Sequence, residues 1–256
     1  MPPSAVDADG NSRGGLLLPM AVVFALTIAA QLLSLAFGRI DETRSFSSTL
    51  LPSLVYLSVL TIPAAWVGIV LGRRTGLGMP AIDALLSGQP GAARRLRAGI
   101  LPAAILGLLL GGLLLALRVV CEPYLPPELP QLGFRGVVGG LAVSVGAAVG
   151  EEVWFRFGLM TLLVWVGARI RGTDQLSVTG TWLVVLITAI GFGTAHLPQL
   201  VAYGAGAPAA IIATVLGNVA VGILYGWLYW RRGLIAAVVA HFSVDLVLHV
   251  LSTVTF

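Results

Sequence analysis

The apolar block ILPAAILGLLLGGLLLALRVV, from Ile100 to Val120, decides the fold of this chain of 256 residues. Its only charged residue is Arg118, which stands two residues before the end of the block. A helix of about twenty residues is ~30 Å long, which is the thickness of the hydrocarbon core of a bilayer. The block therefore predicts a helix that crosses a membrane.

The composition of the whole chain supports a membrane protein. Hydrophobic residues make up 57% of the chain and charged residues 10%, with a mean hydropathy of +0.97. Soluble domains carry about 25% charged residues, and so apolar a chain is not disordered in water. Blocks of this length are helices rather than barrel strands, which need only ~10 residues. The sequence predicts an all-α, polytopic transmembrane helix bundle of seven spans, with eight as the alternative. The seven apolar blocks are Leu16–Phe37, Leu50–Leu71, Ile100–Val120, Val137–Val166, Trp182–Tyr203, Ala209–Trp230 and Leu234–Val254.

Three parts follow from the order of these blocks. We expect a polar tail at residues 1–15, N-terminal transmembrane helices at residues 16–136, and a C-terminal helix core at residues 137–256 that holds a buried polar site. The fourth block has about thirty residues and overshoots a bilayer. It must therefore tilt, begin in the interface, or kink near Gly146 or Gly150.

The positive charges report on topology. All fifteen basic residues are arginines, and all but Arg156 lie in or beside the connections between blocks. This placement argues against a nucleic-acid partner despite the net charge of +4,. The positive-inside rule predicts a multi-pass protein of a bacterial cell membrane with a cytoplasmic N-terminus. The inner connections would hold Arg13, Arg73, Arg74, Arg94, Arg95, Arg97, Arg169, Arg171, Arg231 and Arg232, and the outer ones Arg39, Arg44, Arg118 and Arg135.

The polar residues inside the spans are concentrated in three strings, GEEVWFRFG at 150–158, GFGTAHLPQ at 191–199 and AHFSVDLVLH at 240–249. Ionisable groups inside a bilayer are costly and face a bundle interior or a wet cavity, so each is a functional candidate. Glu151, His196 and His241 lie within about three residues, or ~5 Å along a helix axis, of the midpoints of their blocks. We therefore expect these three side chains to converge.

Helical spacing assigns different positions to the neighbouring polar residues. Glu152 and Arg156 are four residues apart, which predicts an ion pair on one face. Glu151 points ~100° away from Glu152 and stays available for chemistry. Asp245 follows His241 by four residues and is expected to orient an imidazole, as carboxylates do in catalytic and metal sites. The alternative is a structural ion pair with the second glutamate idle.

One free carboxylate and two histidines predict hydrolysis of an acyl bond. A glutamate can take a proton from water and pass it to a leaving amine, while a histidine shares that role or stabilises the oxyanion. Glu151, His196 and His241 are also a ligand set for a catalytic zinc ion. A site without a cofactor and a site with one divalent cation therefore both stay open. No serine or cysteine is placed as a convincing nucleophile.

The three polar strings resemble the motifs EExxxR, FxxxH and HxxxN/D of the CAAX protease and bacteriocin-processing (CPBP) intramembrane proteases. That family includes the type II CAAX-prenyl endopeptidases. The motifs read Glu151 to Arg156, Phe192 to His196 and His241 to Asp245 in this chain. Each motif alone is weak, but three in this order on separate apolar blocks are specific. The resemblance covers about residues 137–255.

The resemblance implies roles for the site residues. Glu151 and His196 would be the catalytic pair that activates water, and His241 with Asp245 would form the oxyanion-stabilising or metal-supporting side. Glu152 and Arg156 would support the site. Asp245 departs from the asparagine usual in prenyl-processing members. An ionised aspartate cannot donate to an oxyanion, so we expect Asp245 to orient His241 or to stay protonated.

The predicted function is that of an intramembrane endopeptidase for a peptide or protein substrate, membrane-anchored substrates included. Two alternatives stay open, a non-catalytic membrane scaffold or immunity protein and a proton-coupled transporter. Transporters often contain internal repeats, whereas the first three blocks hold no matching set of Glu and His. The oligomeric state is open as well, with a candidate small-residue interface at Gly107, Gly111 and Gly112.

Overall fold

The computed structural model describes residues 14–38 and 46–255, and this part of the chain is a bundle of helices without a strand. Seven helical segments in it are long and apolar enough to cross a membrane. The predicted all-α bundle and the number of spans are therefore confirmed for the described residues. In chain order, the first to seventh spans are Leu16–Phe37, Phe46–Thr75, Ala92–Tyr124, Gly136–Ile170, Val178–Ala202, Pro208–Arg232 and Leu234–Thr255.

Some predictions fall on other parts of the chain. Residues 1–13 of the predicted tail lie outside the described residues, and so do Arg13, Arg39 and Arg44 of the arginine count. Between the second and third spans there is one short helix, Pro80–Leu86. The third span closes with a 3₁₀ turn at Glu122–Tyr124.

The fourth span changes its helix type at the polar string. An α-helix at Gly136–Glu151 continues as a π-helix at Glu152–Met160 and returns to an α-helix at Thr161–Ile170. The irregularity thus follows Gly150 instead of coinciding with it. Wide π turns inside α-helices are rare, and many of those that occur are at functional sites. The seventh span has the same plan, with segments Leu234–Asp245, Leu246–Leu251 and Ser252–Thr255.

The fifth span is interrupted at His196. Its long helix, Val178–Ala195, ends there, and a short helix, Leu197–Ala202, follows. Pro198 has no backbone N–H with which to continue the hydrogen-bond ladder, which explains the break. The sequence predicted one continuous block here, so His196 lies at a helix end rather than in the middle of a helix.

The fourth and seventh spans form the centre of the bundle. The fourth packs against the first and second spans, the seventh against the third and sixth, and the fifth against the sixth. Side-chain hydrogen bonds reinforce this order: Gln31 Nε2 donates to Gly146 O at 2.7 Å, and Trp154 Nε1 donates to Thr61 Oγ1 at 3.0 Å. The buried core therefore surrounds the spans that carry the polar strings.

Two glycines let the third span approach the seventh closely. A Cβ atom at Gly107 would lie 2.4 Å from Ala240 O, and one at Gly111 would lie 3.0 Å from Val244 O. The predicted small-residue interface is therefore used within the chain at these two positions. Gly112, the third member of that face, has open space beside it.

We predict that Gly107→Ala lowers the free energy of unfolding, because the added methyl group forces the third and seventh spans apart. Overpacking of this kind costs about 1–3 kcal/mol. Gly112→Ala is the matched control on the same helix and should be neutral or stabilising, since alanine favours helix more than glycine. Thermal unfolding in detergent compares the two variants, and equal melting temperatures would contradict the predicted close approach.

Candidate active site

Glu152 is the residue that joins the polar groups of the C-terminal spans. Its Oε1 atom lies 2.9 Å from His241 Nδ1 and 3.2 Å from Arg156 Nη1. The side chains of Glu152 and Arg156 are both fully buried. The i, i+4 spacing predicted the contact with Arg156. The bond to His241 was not predicted, because the sequence offered Asp245 as the group that orients this imidazole.

Arg156 is surrounded by partners from other spans. Its Nη2 donates to the carbonyl of Gly222 at 3.1 Å, and its guanidinium lies 4.6 Å from the Phe192 ring centroid and 5.3 Å from that of Tyr225. A Cβ atom at Gly222 would lie 3.3 Å from Arg156 Nη2 and 3.0 Å from Ala189. Glycine at this position therefore lets a backbone carbonyl reach the buried cation, which needs such partners to be tolerated.

The imidazole of His241 is fixed on two sides by aromatic rings. Tyr225 stacks on it with 4.5 Å between ring centroids and 15° between planes. Phe192 meets it edge to face, with 5.9 Å between centroids and 89° between planes. These contacts, together with the bond to Glu152, leave the ring one orientation.

That orientation turns His241 Nε2 toward two further carboxylates. Asp245 Oδ2 lies 3.5 Å from this nitrogen, and Glu151 Oε2 lies 3.8 Å from it. Both separations exceed a direct hydrogen bond, and such distances suit groups that share a water molecule or a substrate atom. The Glu151 side chain is 25% exposed, compared with 4% for His241 and 11% for Asp245. Glu151 is therefore the most exposed carboxylate of this cluster.

His196 lies beside this cluster without bonding to it. Its Nδ1 atom is 2.8 Å from Phe192 O, and a carbonyl only accepts, so Nδ1 carries the hydrogen and Nε2 is free to accept. The two rings also meet edge to face, with 4.9 Å between centroids. Among the described residues, no hydrogen bond or ion pair joins His196 to Glu151 or His241. The Phe192 ring is the contact that His196 and His241 share.

The three residues of the predicted metal set are not all neighbours in the structure. Within the described ranges, no group of three His, Cys, Asp or Glu side chains is arranged to hold a metal ion. Of the set Glu151, His196 and His241, the first and third are neighbours, while His196 contacts Phe192 instead. His241 also uses one ring nitrogen for Glu152.

Two residues of the site were missed in the sequence, and both lie on the sixth span. Gly222 supplies the carbonyl for Arg156, and Tyr225 supplies the ring that stacks on His241. Apart from two tyrosines and the two arginines at its C-terminal end, that span contains no ionisable residue. A prediction based on buried charges therefore did not include it. A tyrosine away from the interfacial belt, where this residue type is usually found, was the available signal.

The fold and this cluster define an integral membrane protein with a buried carboxylate–imidazole site in its C-terminal spans. The family model described as type II CAAX prenyl endopeptidase Rce1-like matches residues 133–247. This part of the chain, which carries the whole cluster, is therefore similar to the Rce1-like family, in agreement with the resemblance read from the three motifs. At the level of the family, this match supports a protease. No curated protein and no solved structure matches the chain.

We predict that Arg156→Met destabilises the protein strongly, because it leaves the buried carboxylate of Glu152 without its cation. Breaking a buried pair in this way costs about 3–5 kcal/mol, and adding Glu152→Gln should recover part of the loss. The control is Arg118→Met, which removes the more exposed pair with Glu122 and should cost less than about 1 kcal/mol. Equal losses in unfolding experiments would contradict the central position of Arg156.

Proposed function

We propose that the chain is an intramembrane endopeptidase that hydrolyses a peptide bond beside Glu151 and His241. The observation that carries this proposal is the position of His241 Nε2, which faces two carboxylates in a buried cluster. The match of this segment to a peptidase family supports the same reaction. The substrate class would be a peptide or protein presented at the membrane, with prenylated CAAX peptides as the first class to try.

Glu151 is the proposed general base. It is the most exposed carboxylate of the cluster, whereas Glu152 is buried and already bonded to His241 and Arg156. Glu151 takes a proton from a water molecule beside His241 Nε2, and the water oxygen attacks the scissile carbonyl carbon. When the C–N bond breaks, Glu151 passes this proton to the leaving amine.

His241 is the proposed electrostatic partner of the reaction. Glu152 accepts from its Nδ1, so an imidazolium is held in place and can donate from Nε2 toward developing negative charge. Asp245 keeps Nε2 directed to the same place. His196, whose Nε2 is a free acceptor, would orient the attacking water. The proposal assigns these steps to the protein's own groups.

We predict that Glu151→Gln lowers kcat by at least about 10²-fold, because general base catalysis contributes ~10²–10⁴-fold. Glutamine keeps the size of the side chain but does not take the proton. Glu128→Gln, at an exposed position of the connection after the third span, is the matched control and should retain native turnover. Cleavage of a farnesylated reporter peptide by the purified chain, followed by mass spectrometry, measures both. Native turnover in Glu151→Gln would contradict the assignment of Glu151 as the general base, whereas a native chain without turnover would favour a scaffold or a transporter.

We also propose that the N-terminus is cytoplasmic. Nine arginines of the described residues flank the ends that would face inward, and two, Arg118 and Arg135, flank the opposite ends. The proposal places Cys121, which is exposed at the end of the third span, on the outer side.

A membrane-impermeant maleimide should therefore label Cys121 in intact cells. The control is Cys121→Ser combined with Ser87→Cys, which moves the thiol to the exposed connection between the second and third spans. This variant should be labelled only after the cells are broken. The reverse pattern would invert the proposed orientation.

A further inference from the structure

Tyr225 has a buried hydroxyl group to which the fold gives no partner. The residue is 0% exposed, and its hydroxyl oxygen makes no hydrogen bond in the described part of the chain. Leaving a buried hydroxyl unpaired is unfavourable, because the group has given up its hydrogen bonds to water. Tyr229, one turn later on the same helix, is equally buried, but its hydroxyl lies 2.6 Å from Thr161 Oγ1. Of these two buried tyrosines, Tyr225 is therefore the one whose hydroxyl has no hydrogen bond.

The Tyr225 side chain belongs to the polar cluster. Its ring stacks on His241 and lies 5.3 Å from the guanidinium of Arg156. Both of these residues contact Glu152. An unpaired donor thus lies among the groups to which the proposed function assigns the reaction.

The proposed reaction needs such a donor. Attack of water on a peptide carbonyl puts a negative charge on the carbonyl oxygen, and positioned hydrogen-bond donors stabilise that charge. Ionised Glu151, Glu152 and Asp245 only accept hydrogen bonds. His241 can donate from Nε2 only as an imidazolium, because the hydrogen of the neutral ring is on Nδ1, which is bonded to Glu152,. Within the cluster, the hydroxyl of Tyr225 is a neutral donor with no bond to break first.

We infer that Tyr225 is a catalytic residue that donates a hydrogen bond to the oxyanion of the tetrahedral intermediate. This inference rests on the proposed function. The proton of the attacking water goes to Glu151, and its oxygen bonds to the carbonyl carbon. The C=O electron pair moves to the oxygen that Tyr225 binds. The pair returns as the C–N bond breaks, and the amine takes the proton from Glu151, while Tyr225 keeps its own proton throughout.

Tyr225→Phe tests the inference, because it removes the hydroxyl and keeps the stacked ring. The loss of one oxyanion donor lowers kcat by roughly 10²–10³-fold, and we expect this fall with an unchanged KM and an unchanged or higher melting temperature. Tyr229→Phe is the matched control, because it removes the bond to Thr161 outside the cluster. It should lower the melting temperature and retain native kcat. The full chain in proteoliposomes and the farnesylated reporter peptide serve for all variants.

A second variant separates an oxyanion donor from a structural hydroxyl. Asp245→Asn introduces an amide N–H beside His241 Nε2, and an amide can donate where an ionised carboxylate cannot. Combined with Tyr225→Phe, it should recover about tenfold or more of the lost kcat. If the amide recovers none of the lost kcat, the hydroxyl of Tyr225 bonds to a group inside the protein and not to the oxyanion, and the inference is overturned. Glu152 Oε2, which also has no partner, would be such a group.

The outcomes distinguish this inference from the proposed function. A native chain that cleaves the reporter, a Glu151→Gln variant that does not, and a Tyr225→Phe variant with native kcat would overturn the role of Tyr225 alone. Equal losses of kcat in Tyr225→Phe and Tyr229→Phe would also overturn it. A native chain that cleaves no peptide in a library would overturn the proposed function and the inference with it.

Discussion

The structure depends on the burial of one carboxylate, that of Glu152. A charge in the interior of a bilayer protein is tolerated only with partners, and Glu152 has two, Arg156 on its own span and His241 on the seventh,. Arg156 in turn needs the carbonyl of Gly222 on the sixth span. Satisfying this one group therefore fixes three spans relative to each other. The same contacts set the direction in which His241 presents its second nitrogen.

The fold could be predicted from the sequence because a bilayer determines both the length of a spanning segment and its helical conformation. Blocks of about twenty apolar residues have one solution in lipid, so seven spans were predicted and seven are found in the described residues,. The contact between Glu152 and Arg156 followed from spacing along one helix. The π-helical segment and the bond from His241 to Glu152 did not follow. Periodicity gives the face of a residue on its own helix, but not the neighbour that covers that face.

The position of His196 shows the limit of an argument from depth. Matching the midpoints of the blocks compares heights along the membrane normal and leaves the two lateral coordinates undetermined. Pro198 also ends the long helix at His196, so its side chain lies at a helix break. The ring of Phe192 then stands against both imidazoles. A sequence pattern alone contains neither piece of information, and Tyr225 escaped notice for the same lack of lateral detail.

The glycine contacts of the third span bear on how this architecture can be exchanged between proteins. Gly107 and Gly111 seat that span against the backbone of Ala240 and Val244, on either side of His241 and close to Asp245 in the chain. The segment that matches the family is thus shaped by a helix outside it. A chimera that joins residues 133–247 to another N-terminal half would need small residues at the same two heights. Without these small residues, the seventh span, which carries His241, would be displaced even though every polar side chain of the site was kept.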